Sequence, residues 1–230
     1  MINKWKSIII AISLCSLSAE ISLGNDALYK AVQDQNAEMV QSELAAGADA
    51  NYFKKGAFTA LGMAAYKGDA EIAKLLIDAG ADVNQPVRPG SEDRPLSLAA
   101  VSSRDAADLI ALLIESGAET EFESGEWVMT PLQLAIMNHR TDHALAFITA
   151  GVDLNAPDKV GDPSLHGAIY QRNEKVVRAL LENGVDPAVL NNDGLNAFQF
   201  SKKWERESFA LPLLKEYHPE FCGSNPCDIE

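Results

Sequence analysis

The chain has 230 residues, 47% of them hydrophobic, and carries 33 Asp and Glu against 19 Lys and Arg for a formal net charge of -14. That balance opposes nucleic acid and anionic lipid as partners and favours a basic protein, with plain solubility as the other reading. Beyond the first two dozen residues no apolar stretch approaches transmembrane length, so a single elongated, soluble domain without membrane insertion is expected.

The first element is a short basic start, Met1 to Lys6, followed by a mostly apolar run from Ser7 to Leu17. Such a run is too short to span a bilayer and reads as a secretory signal peptide over 1–24. Cleavage after Gly24, with Ser22 at the third position back, places the start of the repeats next to it; Ser18 with Ser16 fits the small-residue rule equally, and Ala19 is a third site. Lipidation of Cys15 is the alternative, against which stands the bulky Leu14. Loss of Lys4, Lys6 and Glu20 with the signal leaves a net charge of -15.

Over 25–215 one phrase returns five times: Gly47-Ala48-Asp49, Gly80-Ala81-Asp82, Gly117-Ala118-Glu119, Gly151-Val152-Asp153 and Gly184-Val185-Asp186. The glycines lie 33, 37, 34 and 33 residues apart, a period that marks a stacked array of units. Ahead of the glycines stand apolar runs such as Ile72 to Ile77, Leu109 to Ile114 and Val176 to Leu181, with Leu and Ile at helical spacing. Each predicts the second helix of a unit, ended by the glycine. Upstream, Thr59-Ala60-Leu61, Arg94-Pro95-Leu96, Thr130-Pro131-Leu132 and Pro163-Ser164-Leu165 predict the start of a first helix, where Thr is a cap and Pro suits the first turn. Asn51, Asn84 and Asn155 mark the exit into a turn, and two extra residues near Val101 to Asp105 predict an irregular third unit.

The last segment, 216–230, holds Cys222 and Cys227 around a Gly/Pro turn. After signal removal they are an even pair in an oxidising compartment, which reads as a disulfide. Metal ligation is the other reading, with only His218 nearby to add to the set.

These residues resemble the ankyrin repeat family, whose units open on Thr-Pro-Leu-His-x-Ala-Ala and close on Leu-Leu-x-x-Gly-Ala-Asp-x-Asn. The resemblance covers about residues 26 to 214. It implies an all-α fold, a solenoid of helix-turn-helix units with short hairpin-like fingers, with about four good repeats between divergent capping repeats. The segment from Asn191 to Lys215 reads as a degraded helix pair. Solenoids of this kind serve mainly as binding surfaces, so a non-enzymatic role without cofactor or metal is expected.

Of the four histidines, His166 sits in the family's His slot, which implies hydrogen bonds between repeats. Registered on the second repeat, His139 falls on Gly68 in the turn between helices and His143 on Ile72 at a packing edge, a poor pair of metal ligands. No nucleophile elbow, phosphate loop, metalloprotease helix or Cys-His couple appears in the chain.

In such an architecture the turn tips and the first-helix positions after the Ala pair are free of packing duty. Register places Tyr66 and Lys67, Met137, Tyr170 and Trp204 at the second set, large side chains of the kind enriched in interface cores. Packing of Met137 and Trp204 on their own helices is the alternative. The tips carry Tyr52, Phe53, Arg88 and Trp127, either as a binding signal or as packing of one finger on the next.

The function expected is a protein-binding module of the bacterial periplasm, an inhibitor or immunity protein capping a basic toxin or enzyme. An envelope scaffold supporting catalase or peroxide defence, an effector secreted toward a host and a cryptic hydrolase are the alternatives.

Overall fold

The structure, a computed structural model, describes residues 24–54, 56–122 and 129–219. Among them the chain forms twelve helical segments in six consecutive pairs: α1 (24–33) and α2 (Ala37–Ala45), α3 (Ala60–Lys67) and α4 (Ala70–Asp78), α5 (Pro95–Val101) and α6 (Ala107–Glu115), α7 (Pro131–Met137) and α8 (Thr141–Thr149), α9 (Ser164–Tyr170) and α10 (Glu174–Glu182), α11 (Ala197–Lys203) and α12 (Glu207–Tyr217). First helices pack on first helices and second on second, so the core is a continuous slab between two layers. No helix among the described residues is long and apolar enough to cross a membrane.

Local chemistry sets the boundaries. The Thr59 hydroxyl accepts from the Gly62 amide at 3.1 Å, and Thr130 accepts from Gln133 while Pro131 fills the first helical position. Second helices are capped by Asn36, Asp69 and Asn173. The repeated glycines, Gly47 to Gly184, take φ between 75 and 94°, the left-handed conformation that releases the chain from the second helix. The turn inside every unit but the third is also left-handed. Gly68 at φ 68° is matched by Gln35, His139, Arg172 and Glu205 at 55 to 57°, which places His139 where its register predicts.

Packing follows the apolar stripe. Leu61, Leu96, Leu132 and Leu165 on first helices, and Ile72, Leu76, Leu109, Leu113 and Phe147 on second helices, are at most 2% exposed. Ala64, Ala99, Ala135 and Ala168 are fully buried and let neighbouring first helices approach closely. The sixth unit is a complete helix pair and not a degraded one: Asn196 and Gln199 form a reciprocal cap, and Phe198, Leu213 and Leu214 bury an apolar face.

Side-chain amides tie the units together. Asn51 donates to the Gly80 carbonyl at 2.9 Å and accepts from the Asp82 amide at 2.8 Å; Asn84 does the same with Gly117 and Glu119. At the third unit the equivalent residue is Glu121. There the tie is made by His143, 3% exposed on α8, reaching back to the longer turn of the third unit. Its Nε2 lies 3.0 Å from both the Ala106 amide and the Arg104 carbonyl, and its Nδ1 lies 3.1 Å from the Ala100 carbonyl.

Candidate functional site

The first helices and the fingers between units form the two walls of a groove. Three of the fingers are narrow: Phe53 bridges to Thr59 in the first, while Asp158 to Asp162 and Asn191 to Leu195 close the last two by single backbone bonds. The last two fingers interlock. A Cβ at Gly161, whose φ is +80°, would lie 2.5 Å from the Asn192 side chain, and Asn191 donates to Asp162 Oδ1 at 2.6 Å.

Behind these fingers the groove deepens into a pocket of about 440 Å³. Three residues predicted from separate repeats converge on it: Met137 from α7, Tyr170 from α9 and Trp204 just after α11. Tyr170 and Trp204 meet edge to face with ring centroids 5.5 Å apart, and Trp204 leans on Phe200 at 6.2 Å. The Met137 sulfur lies 3.6 Å from the Gln171 amide nitrogen. Tyr170 is 37% exposed and Trp204 43%, with the Arg206 guanidinium 5.3 Å from the Tyr170 ring and the Lys203 ammonium 5.8 Å from the Trp204 ring.

Sequence reasoning missed why the pocket exists. The residue after the His slot faces the groove, and it is Met63, Leu98, Leu134 and Phe200 in four repeats but Gly167 in the fifth. A side chain there would occupy the floor, since its Cβ would sit 3.6 Å from Ile136 and 3.7 Å from the Met137 sulfur. The odd glycine in that column was the available signal. Asp158 and Asp162, which line the pocket from the finger, were also missed.

The polar lining is unusual. Burial raises the Asp158 carboxyl above the ordinary carboxylate range and the nearby Asp162 charge adds to this, against the pull of backbone amides. The buried Ser164 hydroxyl has no partner among the described residues. Beneath it His166 donates from Nε2 to the Leu195 carbonyl at 3.0 Å, the tie between repeats that its slot implies, and packs on Phe200 at 4.7 Å. Its Nδ1 has no partner either. The cause is Pro163. At this register Arg94, Thr130 and Asn196 each donate a backbone N–H to the side chain three residues on, and proline has none to give. Burial lowers the His166 pKa below its usual value, countered by the Leu195 bond and the Asp162 and Asp158 charges.

The other predicted residues lie apart from this pocket. Tyr66, 53% exposed on α3, contacts Phe58 at 5.7 Å, and the Arg88 guanidinium covers the other ring at 4.1 Å, so these two join at the N-terminal end of the groove. Lys67 is half-buried at the end of α3. Tyr52 is not a free tip: its hydroxyl lies 3.4 Å from Asp26 Oδ1 in α1. Phe53 is half-buried in its finger. Trp127, Cys222 and Cys227 lie outside the described residues. Among those described, no group of three or more His, Cys, Asp or Glu is placed to hold a metal ion.

Residues 6–87 and 96–203 match the family model of ankyrin repeats, in three copies. The chain is 24% identical over 237 residues to an ankyrin repeat protein of Acanthamoeba polyphaga mimivirus, across 91% of this chain and 30% of that one. To an L-asparaginase of Dirofilaria immitis it is 26% identical over 188 residues, across 82% of this chain and 31% of the enzyme. It thus spans under a third of the length of these curated relatives. Among solved structures, the ankyrin repeat domain of Bcl-3 superposes with a TM-score of 0.69 at 21% identity, over 80% of this chain and 81% of the other.

Proposed function

Since the chain belongs to the ankyrin repeat family, we propose that it is a non-enzymatic protein-binding module of the bacterial periplasm that holds its partner in the groove between fingers and first helices. The observation that carries this reading is the convergence of Met137, Tyr170 and Trp204, spaced by a repeat in sequence, on one open pocket. Side chains of this type bury large area at low entropy cost, and a rigid scaffold holds them in place before binding. The likeness to an asparaginase extends over the repeats themselves, so it follows the repeat pattern and brings no catalytic centre with it.

The acidic balance of the chain favours a basic partner, by long-range steering. A secreted, acidic binder of this size suits the capping of a basic toxin or enzyme, in the manner of an immunity protein. Export is read from the apolar run that precedes the repeats.

The test is a photo-crosslinking residue placed at Tyr170 and, separately, at Lys74 on the outer surface of α4. A periplasmic protein captured from the first position and not the second is the expected result. Capture from Lys74 alone refutes the groove reading, and N-terminal sequencing that finds Met1 intact refutes export.

A further inference from the structure

The pocket below the last two fingers joins an apolar floor to uncompensated negative charge. Ile136, Met137 and Phe200 make the floor, Tyr170 and Trp204 one wall, and the Asp158–Asp162 finger the other. Nothing in the backbone requires the glycine that opens it. Gly167 lies in regular helix, where glycine is less favourable than alanine, and a Cβ there would find only ordinary contacts. The missing side chain therefore has one structural consequence, the cavity itself.

The charges around the cavity are unequal in their partners. Asp193, at the rim, is paired with Lys203 at 2.7 Å. Asp158 and Asp162 are half-buried and have no ion pair among the described residues. Asp158 Oδ1 accepts from the amides of Val160 and Asp162, and Asp162 Oδ1 from Asn191, which holds both carboxylates in place without neutralising them. A buried, partnerless Ser164 hydroxyl belongs to the same lining.

We propose that this pocket receives an arginine side chain carried on an extended segment of the partner protein, its methylene stem on Met137 and Phe200 and its guanidinium between Tyr170, Trp204 and the two free carboxylates. The inference rests on the groove being the partner-binding face. Guanidinium is weakly hydrated, stacks on aromatic rings and forks between carboxylate oxygens, so it meets the apolar and the anionic demands together, whereas an ammonium meets the second at a higher desolvation cost. Burial of the Asp158 carboxyl beside Asp162 gives the same sense: an arriving cation relieves their repulsion.

The test uses the intact chain and three blocked tripeptides, acetyl-Ala-X-Ala-amide, with X as arginine, citrulline or lysine. Binding is followed by NMR at the Trp204 indole N–H and the Met137 methyl. Saturable shifts with the arginine peptide are expected, with affinity at least tenfold lower for citrulline, which keeps the shape and removes the charge. Asp158→Asn combined with Asp162→Asn should weaken the arginine peptide at least tenfold, and Gly167→Leu should abolish its binding while leaving the melting curve cooperative, since leucine occupies this column at Leu98 and Leu134. If Gly167→Leu does not fold, Gly167→Ala should weaken the peptide at least threefold. Citrulline binding as tightly as arginine, or binding untouched by either Gly167 variant, overturns the proposal; lysine binding as tightly overturns the choice of guanidinium. Loss of the Tyr170 crosslink in Gly167→Leu without any peptide binding leaves the groove reading standing and removes the arginine. Arginine-peptide binding by the parent chain with the Tyr170 crosslink retained in Gly167→Leu also leaves the groove reading standing and removes the pocket as the partner's anchor, whereas capture from Lys74 alone removes the groove reading itself.

Discussion

Replacing Pro163 by threonine should stabilise the protein, although it removes a proline. The backbone at Pro163, φ -65° and ψ 162°, matches Thr59 at -59° and 161° and Thr130 at -67° and 158°, so threonine fits without strain. Two changes then follow: the hydroxyl can cap the His166 amide, which now donates to the Pro163 carbonyl at 2.9 Å, so the exchange is worth about 0.5 kcal/mol, and the new N–H faces the bare His166 Nδ1, worth about 1 kcal/mol. Against them stands about 0.4 to 1 kcal/mol for the freer unfolded chain. The net is a gain of about 0.5 to 1 kcal/mol, or roughly 1 to 4 °C in melting temperature for a domain of this size. Thermal and urea unfolding followed by circular dichroism at about pH 7.5 measures it. Repeating the change in a His166→Ala background should recover only the capping part, so that the double-mutant cycle shows coupling near 1 kcal/mol. A variant no more stable than the parent, or a cycle that closes to zero, refutes the reasoning that proline orphans the histidine.

Tyr66→Ala with Tyr170→Ala should leave folding nearly intact yet weaken the partner by at least about 2 kcal/mol in calorimetry, while Leu76→Ala, fully buried in α4, should cost the fold about 2 to 5 kcal/mol. If affinity instead survives the tyrosine changes and falls on truncation of Phe53 and Trp127, the finger tips carry recognition. The lowered pKa of His166 makes the unfolded chain, titrating near the ordinary 6.5, bind a proton that the native state refuses. Stability should therefore fall as pH drops from about 7 toward 5, and His166→Gln, the residue found at Gln133 and Gln199, should flatten that slope in urea titrations; an equally steep slope in the variant contradicts this. Asp158 acts in the opposite sense, its raised pKa favouring the native state as acid is added through the carboxylate range. Thiol counting in denaturant of protein recovered from an oxidising compartment should find Cys222 and Cys227 joined, in a loop too short to contribute more than about 2 to 3 kcal/mol.

The repeats and helix ends were legible because each depends on residues close in sequence: an apolar stripe, a cap, a left-handed glycine. Column register also placed Met137, Tyr170 and Trp204, since a solenoid turns a spacing in sequence into a position on one face. Ties between units were harder to read. Asn51 and Asn84 look like turn residues, yet each holds the amide and carbonyl of the next repeat some 30 residues on. His143 looks like an edge residue of its own helix; its partners are Ala100, in the last turn of α5, and Ala106, at the end of the turn lengthened by the extra residues of the third unit. The pocket was invisible for a related reason. It is made by an absent side chain at Gly167, and hydrophobic patterning records what is present.

In a linear array each unit leans mainly on its neighbours, here with one longer reach from Arg104 to Gln35 two units away, so the joints set where a partial opening stops. Between the third and fourth units the paired amide bonds of Asn51 and Asn84 give way to Glu121, and one imidazole clasps a lengthened turn in their place. That joint divides the row into an N-terminal half with the Tyr66 and Arg88 cluster and a C-terminal half that holds the whole pocket. Fraying that begins at α1 meets a change of fastening before it reaches the pocket, and the half that holds the pocket can stand while the other breathes.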